Sequence, residues 1–134
     1  MAKVSGFKIQ VDVDKRERDE ADVFYIQGKY MRFEPVANAW EVDISDELGW
    51  YKAPELVVHK SAKQRGWTVS ERHLGLSIAR LWSGTKEEVI EVAVARLREK
   101  GAANYWELVN KTAEELKAAY LLKEVMEEES DEKL

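Results

Sequence analysis

Cysteine is absent from this chain of 134 residues. That removes disulfide frameworks, thiolate metal sites and thiol nucleophiles together, and it agrees with a reducing, cytoplasmic setting. Histidine is almost absent as well. His59 and His73 fall in different stretches, with none of the local spacing of a metal motif such as H-E-x-x-H. No glycine pattern for a phosphate loop, a dinucleotide fold or a nucleophile elbow occurs. There are only two prolines, Pro35 and Pro54, and no apolar run approaches the ~20 residues of a membrane helix. The first residues, Met1 to Gly6, lead straight into a strand pattern and show no signal-peptide apolar region. These absences predict a cytoplasmic protein with no membrane segment, no cofactor and no metal. With no catalytic constellation either, the chain is expected not to be an enzyme.

What the sequence does hold is material for a core. Apolar residues make up 45%, including five Trp, five Tyr and three Phe, far from the composition of a disordered chain. The length suits one domain. The net charge of −5 is unevenly spread: residues 60–100 carry nine basic and five acidic side chains, between two acidic arms. Such a middle stretch offers a modest basic patch to phosphate or to an acidic protein surface.

Periodicity assigns the elements. Phe7, Ile9, Val11 and Val13 alternate with polar residues, as a half-buried strand does. The charged run 15–20 reads as a hairpin loop. Strands are predicted at 22–27 and 30–34, the second ended by Pro35, and again over Trp40, Val42 and Ile44. Short links favour an antiparallel meander. Leu56-Val57-Val58 is a short strand candidate, and Trp67–Glu71 with Leu76–Trp82 forms a hairpin around Gly75. Thr85 followed by Glu88 is a capping box that opens a helix ending at Gly101. A second box, Thr112 with Glu115, predicts another helix through about Met126, preceded by a short helical turn over 103–109. The expectation is an α+β domain over residues 1–126: an N-terminal antiparallel sheet, meander plus hairpin, followed by two C-terminal helices. Residues 127–134 form an acidic tail.

Three groups of residues are candidates for function. Arg80 and Trp82 share strand parity and end just before the Thr85 cap. A guanidinium, an indole and a helix N-terminus together suit an anionic, nucleotide-like ligand. Trp50 and Tyr51 stand beside Gly49 in a predicted loop, where aromatics are available to a protein partner. Tyr120 and Leu122 lie on a broad apolar stripe of the last helix, wide enough to suggest a homodimer or a docked partner. Asp12, Asp14 and Asp43 are paired-carboxylate candidates for a cation, on faces where solvating carboxylates are the ordinary case.

The stretch from Gly66 to Gly101, a hairpin with a helix, resembles the arm-binding domains of phage integrases, which read DNA with a sheet. The residues that would point outward for that purpose are Thr68, Ser70, Arg72, Ser77 and Ala79. The whole chain, short and free of cysteine, resembles in style the small proteins encoded by phages and prophages. That resemblance implies binding to a component of bacterial defence, either a protein or its nucleotide signal. Three function classes stand: a non-enzymatic protein-binding inhibitor or adaptor first, then a binder of a small nucleotide-like anion, then a weak nucleic-acid binder.

Overall fold

The computed structural model describes residues 2–60 and 66–132, with side chains described through Tyr120. Seven strands and three helices follow one another as β1 (Lys8–Asp12), β2 (Phe24–Ile26), β3 (Lys29–Pro35), β4 (Ala39–Val42), α1 (Ser45–Leu48), β5 (Leu56–His59), β6 (Trp67–Glu71), β7 (Ser77–Leu81), α2 (Lys86–Lys100) and α3 (Ala102–Glu132). The fold is α+β, with antiparallel strands in the N-terminal part and two long helices after them.

The strands form two sheets where a single meander is the simpler expectation. One has the order β1-β3-β2 and the other β4-β5-β6-β7. In the first, β1 and β2 both pair antiparallel with β3, so they run parallel to each other on either side of it. The charged run 15–20 is therefore a crossover and not a hairpin loop. It contains a 3-10 turn, Lys15–Glu17, capped by Asp14, whose side chain accepts from the Arg16 amide. β2 and β3 are joined by Gln27 and Gly28, with φ of 51° and 78°. Positive φ at both positions gives the primed turn whose twist matches a two-residue hairpin. The meander breaks between β3 and β4 because β4 takes a different neighbour on its outer edge. Val4 N–H donates to the Ala39 carbonyl at 2.9 Å and Glu41 N–H to that of Ala2 at 2.8 Å.

β5 is central in the second sheet, and all four of its residues are buried. Leu56 and Val58 face a core shared with Val69, Ala79 and the α2 residues Val89, Ala93 and Leu97. Val57 points the other way, into a cluster with Val4, Phe7, Ile9 and Ala39, which joins the two sheets. The seam continues at the β6–β7 turn. Gly75 has φ +69°, and a Cβ there would meet the Lys8 carbonyl oxygen at 2.6 Å. Only glycine lets that turn lie against β1, where Gln10 Nε2 donates to the Leu74 carbonyl at 2.7 Å.

Covering both faces of the second sheet overturns part of the outward set expected for the hairpin. Thr68 and Ser70 are 4% and 1% exposed, because they lie on the side toward the first sheet, and Ala79 is fully buried. Ala79 pairs with Val69 and so faces α2 with it, and the register shifts only beyond that pair, between Val69 and Ser70. The face that a DNA-reading sheet would present at Thr68 and Ser70 is occupied by the protein itself.

α2 begins as its capping box predicts: the Thr85 hydroxyl accepts from Glu88 N–H at 3.2 Å. It ends at Gly101, with α3 starting at the next residue. The second capping box does not form. Thr112 is inside α3 and buried, and its hydroxyl has no partner among the described residues. Helix 102–132 is continuous because Tyr105 anchors its first turns in the α2 core, and Leu116 packs further along on Phe24 and Ile26. Tertiary packing on both sides of Thr112 outweighs a local cap signal.

Candidate functional site

The loop after α1 gives the clearest surface feature. Gly49, with φ +64°, closes α1 by donating its amide to the Ser45 carbonyl at 2.9 Å. Four contacts then fasten the segment to both long helices. Arg98 of α2 donates from Nε to the Glu47 carbonyl at 3.1 Å. The half-buried Trp50 ring packs against Tyr105 of α3, with centroids 5.6 Å apart. Trp106 of α3 donates from Nε1 to the Lys52 carbonyl at 3.1 Å, and the Lys52 ammonium sits 4.3 Å above the Trp106 ring. Between these anchors Tyr51 is fully exposed. The predicted aromatic pair is thus divided: Trp50 holds the loop, and Tyr51 is presented by it.

Of the predicted ligand group, Arg80 and Trp82 are exposed, Trp82 at 68%. Thr85 is engaged, since its oxygen caps α2, and Glu87 and Glu88 occupy the first turn. Those carboxylates already use the positive end of the helix, which makes it a poorer seat for an anion. In the last helix, Tyr120 is 40% exposed, and its ring also stacks parallel to Phe33, 6.4 Å away, and lies 5.6 Å from Phe24. Burial raises its pKa. Leu122 lies outside the residues whose side chains are described.

Of the three carboxylates considered for a cation, two are spent separately. Asp14 holds Arg16, and Asp43 accepts from the amide and hydroxyl of Ser45, which lowers the pKa of both acids. No group of three or more His, Cys, Asp or Glu residues among those described could hold a metal ion. Much of the basic stretch 60–100 is also engaged within the protein. Lys86 lies over the rings of Trp40 and Trp67, and Lys60 lies over that of Trp67. Arg96 donates to the Ile78 carbonyl at 3.2 Å.

Two features escaped the reading of the sequence. The first is a buried His59–Ser70 contact, Nε2 to Oγ at 2.8 Å, with the imidazole 5.3 Å from the Phe7 ring. Burial, and secondly the charge of Arg80, push the His59 pKa down to about 4, so the ring is neutral near pH 7. Each residue is 1% exposed, so the pair packs the seam between the sheets. Its signal was strand register, because His59 pairs with Thr68 and Ser70 is the diagonal neighbour. The second is an open cleft of about 580 Å³ beside the β2–β3 hairpin, where Tyr25 and Tyr30 meet with centroids 4.9 Å apart. The two-residue turn at Gln27-Gly28 puts those tyrosines opposite each other, and this was readable once the turn type was known. No helix among the described residues is long and apolar enough to cross a membrane. Comparison with protein-family models, with curated proteins and with solved structures finds no match to this chain.

Proposed function

We propose that this chain is a non-enzymatic binding protein that acts as an inhibitor or adaptor on another protein, with Tyr51 as a central contact. The observation that carries this reading is the clamped loop. Trp50 and Lys52 are each tied to α3, and Tyr51 between them offers its whole side chain to solvent. An exposed aromatic on a mobile loop loses entropy when it binds. One on a loop already held by neighbouring contacts loses less, and tyrosine has few rotatable bonds to freeze. Rigid aromatics of this kind are the residues on which interface energy concentrates.

The test is a photo-crosslinking residue placed at Tyr51 in cells, with the adduct identified by mass spectrometry. The affinity of the purified partner is then measured for the native chain and for Tyr51→Ala. The expected loss is about tenfold or more, the lower range for an interface anchor, with an unchanged melting temperature because Tyr51 supports nothing internal. An unaltered affinity, or no specific protein adduct, counts against the reading.

A further inference from the structure

We propose that the cleft between the β2–β3 hairpin and the 3-10 turn is a binding site for a nucleoside monophosphate, separate from the protein contact at Tyr51. Its walls combine Tyr25 and Tyr30 with the cations Lys15, Arg18 and Lys29 and one carboxylate, Asp12. Tyr25 is 57% exposed and inclined at 56° to Tyr30, so the two rings form an angled aromatic notch that is open to a planar group. Surface tyrosines stack on nucleobases without needing a particular base.

The charge around this notch opposes the charge of the whole chain. The protein carries −5, yet the cleft presents three cations against one acid. Among the acids nearest in sequence, Asp14 holds Arg16, and Glu17 and Glu20 face Arg32, at 3.9 and 3.6 Å, so that Asp19 alone offsets a cation of the cleft. Lys15 and Lys29 form no ion pair among the described residues, and Arg18 reaches only the exposed Asp19, at 3.9 Å. The local excess matches a phosphate monoester, which carries about −1.5 to −2 near pH 7. Asp12 is likewise without an ion pair. A carboxylate beside a phosphate-binding set is unhelpful to the anion itself, but it accepts hydrogen bonds from ribose hydroxyls. Base, sugar and phosphate thus each have a matching group around one cleft, whose volume falls in the usual range for small-molecule sites.

The site is open, so binding is expected to be weak and salt-sensitive. The experiment is titration of the full chain at low ionic strength with AMP, followed by backbone amide NMR shifts and calorimetry. Parallel titrations use adenosine, inorganic phosphate and a 5′-phosphorylated single-stranded oligonucleotide. AMP is expected to saturate below about 1 mM with shifts centred on residues 12–18 and 25–30, and adenosine and phosphate to bind about tenfold more weakly. Lys15→Glu lies on the 3-10 turn outside either sheet, and it should weaken AMP about tenfold with no change in melting temperature. Tyr25→Ala should weaken AMP but leave the binding of phosphate alone unaltered. Four results would each overturn the proposal: no saturation by AMP, equal binding of phosphate and AMP, full affinity in Lys15→Glu, or tighter binding of the oligonucleotide than of AMP. None of these bears on Tyr51, so the two sites stand or fall independently.

Discussion

Trp50 and Tyr51 are adjacent, chemically alike and opposite in fate. The difference is made by Tyr105 of α3, which gives the Trp50 ring a partner and leaves Tyr51 without one inside the fold. The two histidines diverge in the same way. His73 is exposed in the β6–β7 turn beside Glu55, while His59 is sealed between the sheets. Thr85 shows the opposite situation, a residue whose role is set by its immediate neighbours. Its hydroxyl oxygen serves the Glu88 amide, and Lys86 beside it covers two tryptophans. Thr85→Ala is therefore expected to cost about 1 kcal/mol in urea unfolding, the usual loss for a helix N-cap. Stability equal to the native chain would show that another group satisfies those amides.

Among the elements, β5 and α3 carry the lessons. The run Leu56-Val57-Val58 lacks the alternation that marks a half-buried strand, because both of its faces are covered. A short continuous apolar run is ambiguous in one dimension and becomes the centre of a sheet in three. In α3 the pattern Thr-x-x-Glu at 112–115 is present, but the helix passes through it. The threonine hydroxyl is left inside with no described partner. Replacing a buried, unpaired hydroxyl with a methyl of similar shape removes a desolvation penalty. Thr112→Val is thus expected to stabilise the protein by about 1 kcal/mol, whereas it would destabilise a helix that began there by a similar amount. The sign of the change in urea midpoint decides between one helix and two.

At the scale of the whole molecule, the seam between the two sheets is the feature on which stability should depend most clearly on pH. His59 is neutral there, with a pKa near 4 in place of about 6.5 in the unfolded chain. Above pH 6.5 neither state binds a proton at this ring, and its contribution is fully present. Between pH 6.5 and 4 the unfolded chain takes up a proton that the native ring refuses, so stability falls as the pH falls. Below pH 4 both states are protonated and the loss levels off. The expected loss from this one group is about 2 kcal/mol by pH 5. Urea unfolding of the native chain and of His59→Gln at pH 7.5 and 5 isolates it, since carboxylate effects are common to both. The variant should show the shallower dependence, and parallel profiles would mean that His59 is not held neutral.

The features that the sequence determined unaided are those whose physics is local. Alternation placed β1 and β4, because a strand's two faces are written at every second residue, and a run of aromatic and β-branched residues bounded by Gly28 and Pro35 placed the β2–β3 stretch. The Thr85–Glu88 box and Gly101 bounded α2, because caps act within four residues. The folding of residues 2–4 onto β4, the placing of β3 between β1 and β2, and the stacking of one sheet on the other depend on contacts between residues far apart in sequence. No pattern along the chain encodes which surface meets which. The functional surface follows the same division. Tyr51 was visible as an aromatic in a loop, but the clamp that holds it comes from α2 and α3, about fifty residues away. The Tyr25–Tyr30 cleft needs the crossover to bring Lys15 and Arg18 beside the hairpin. Exposure and proximity are properties of the packed chain, and only the tertiary structure decides them.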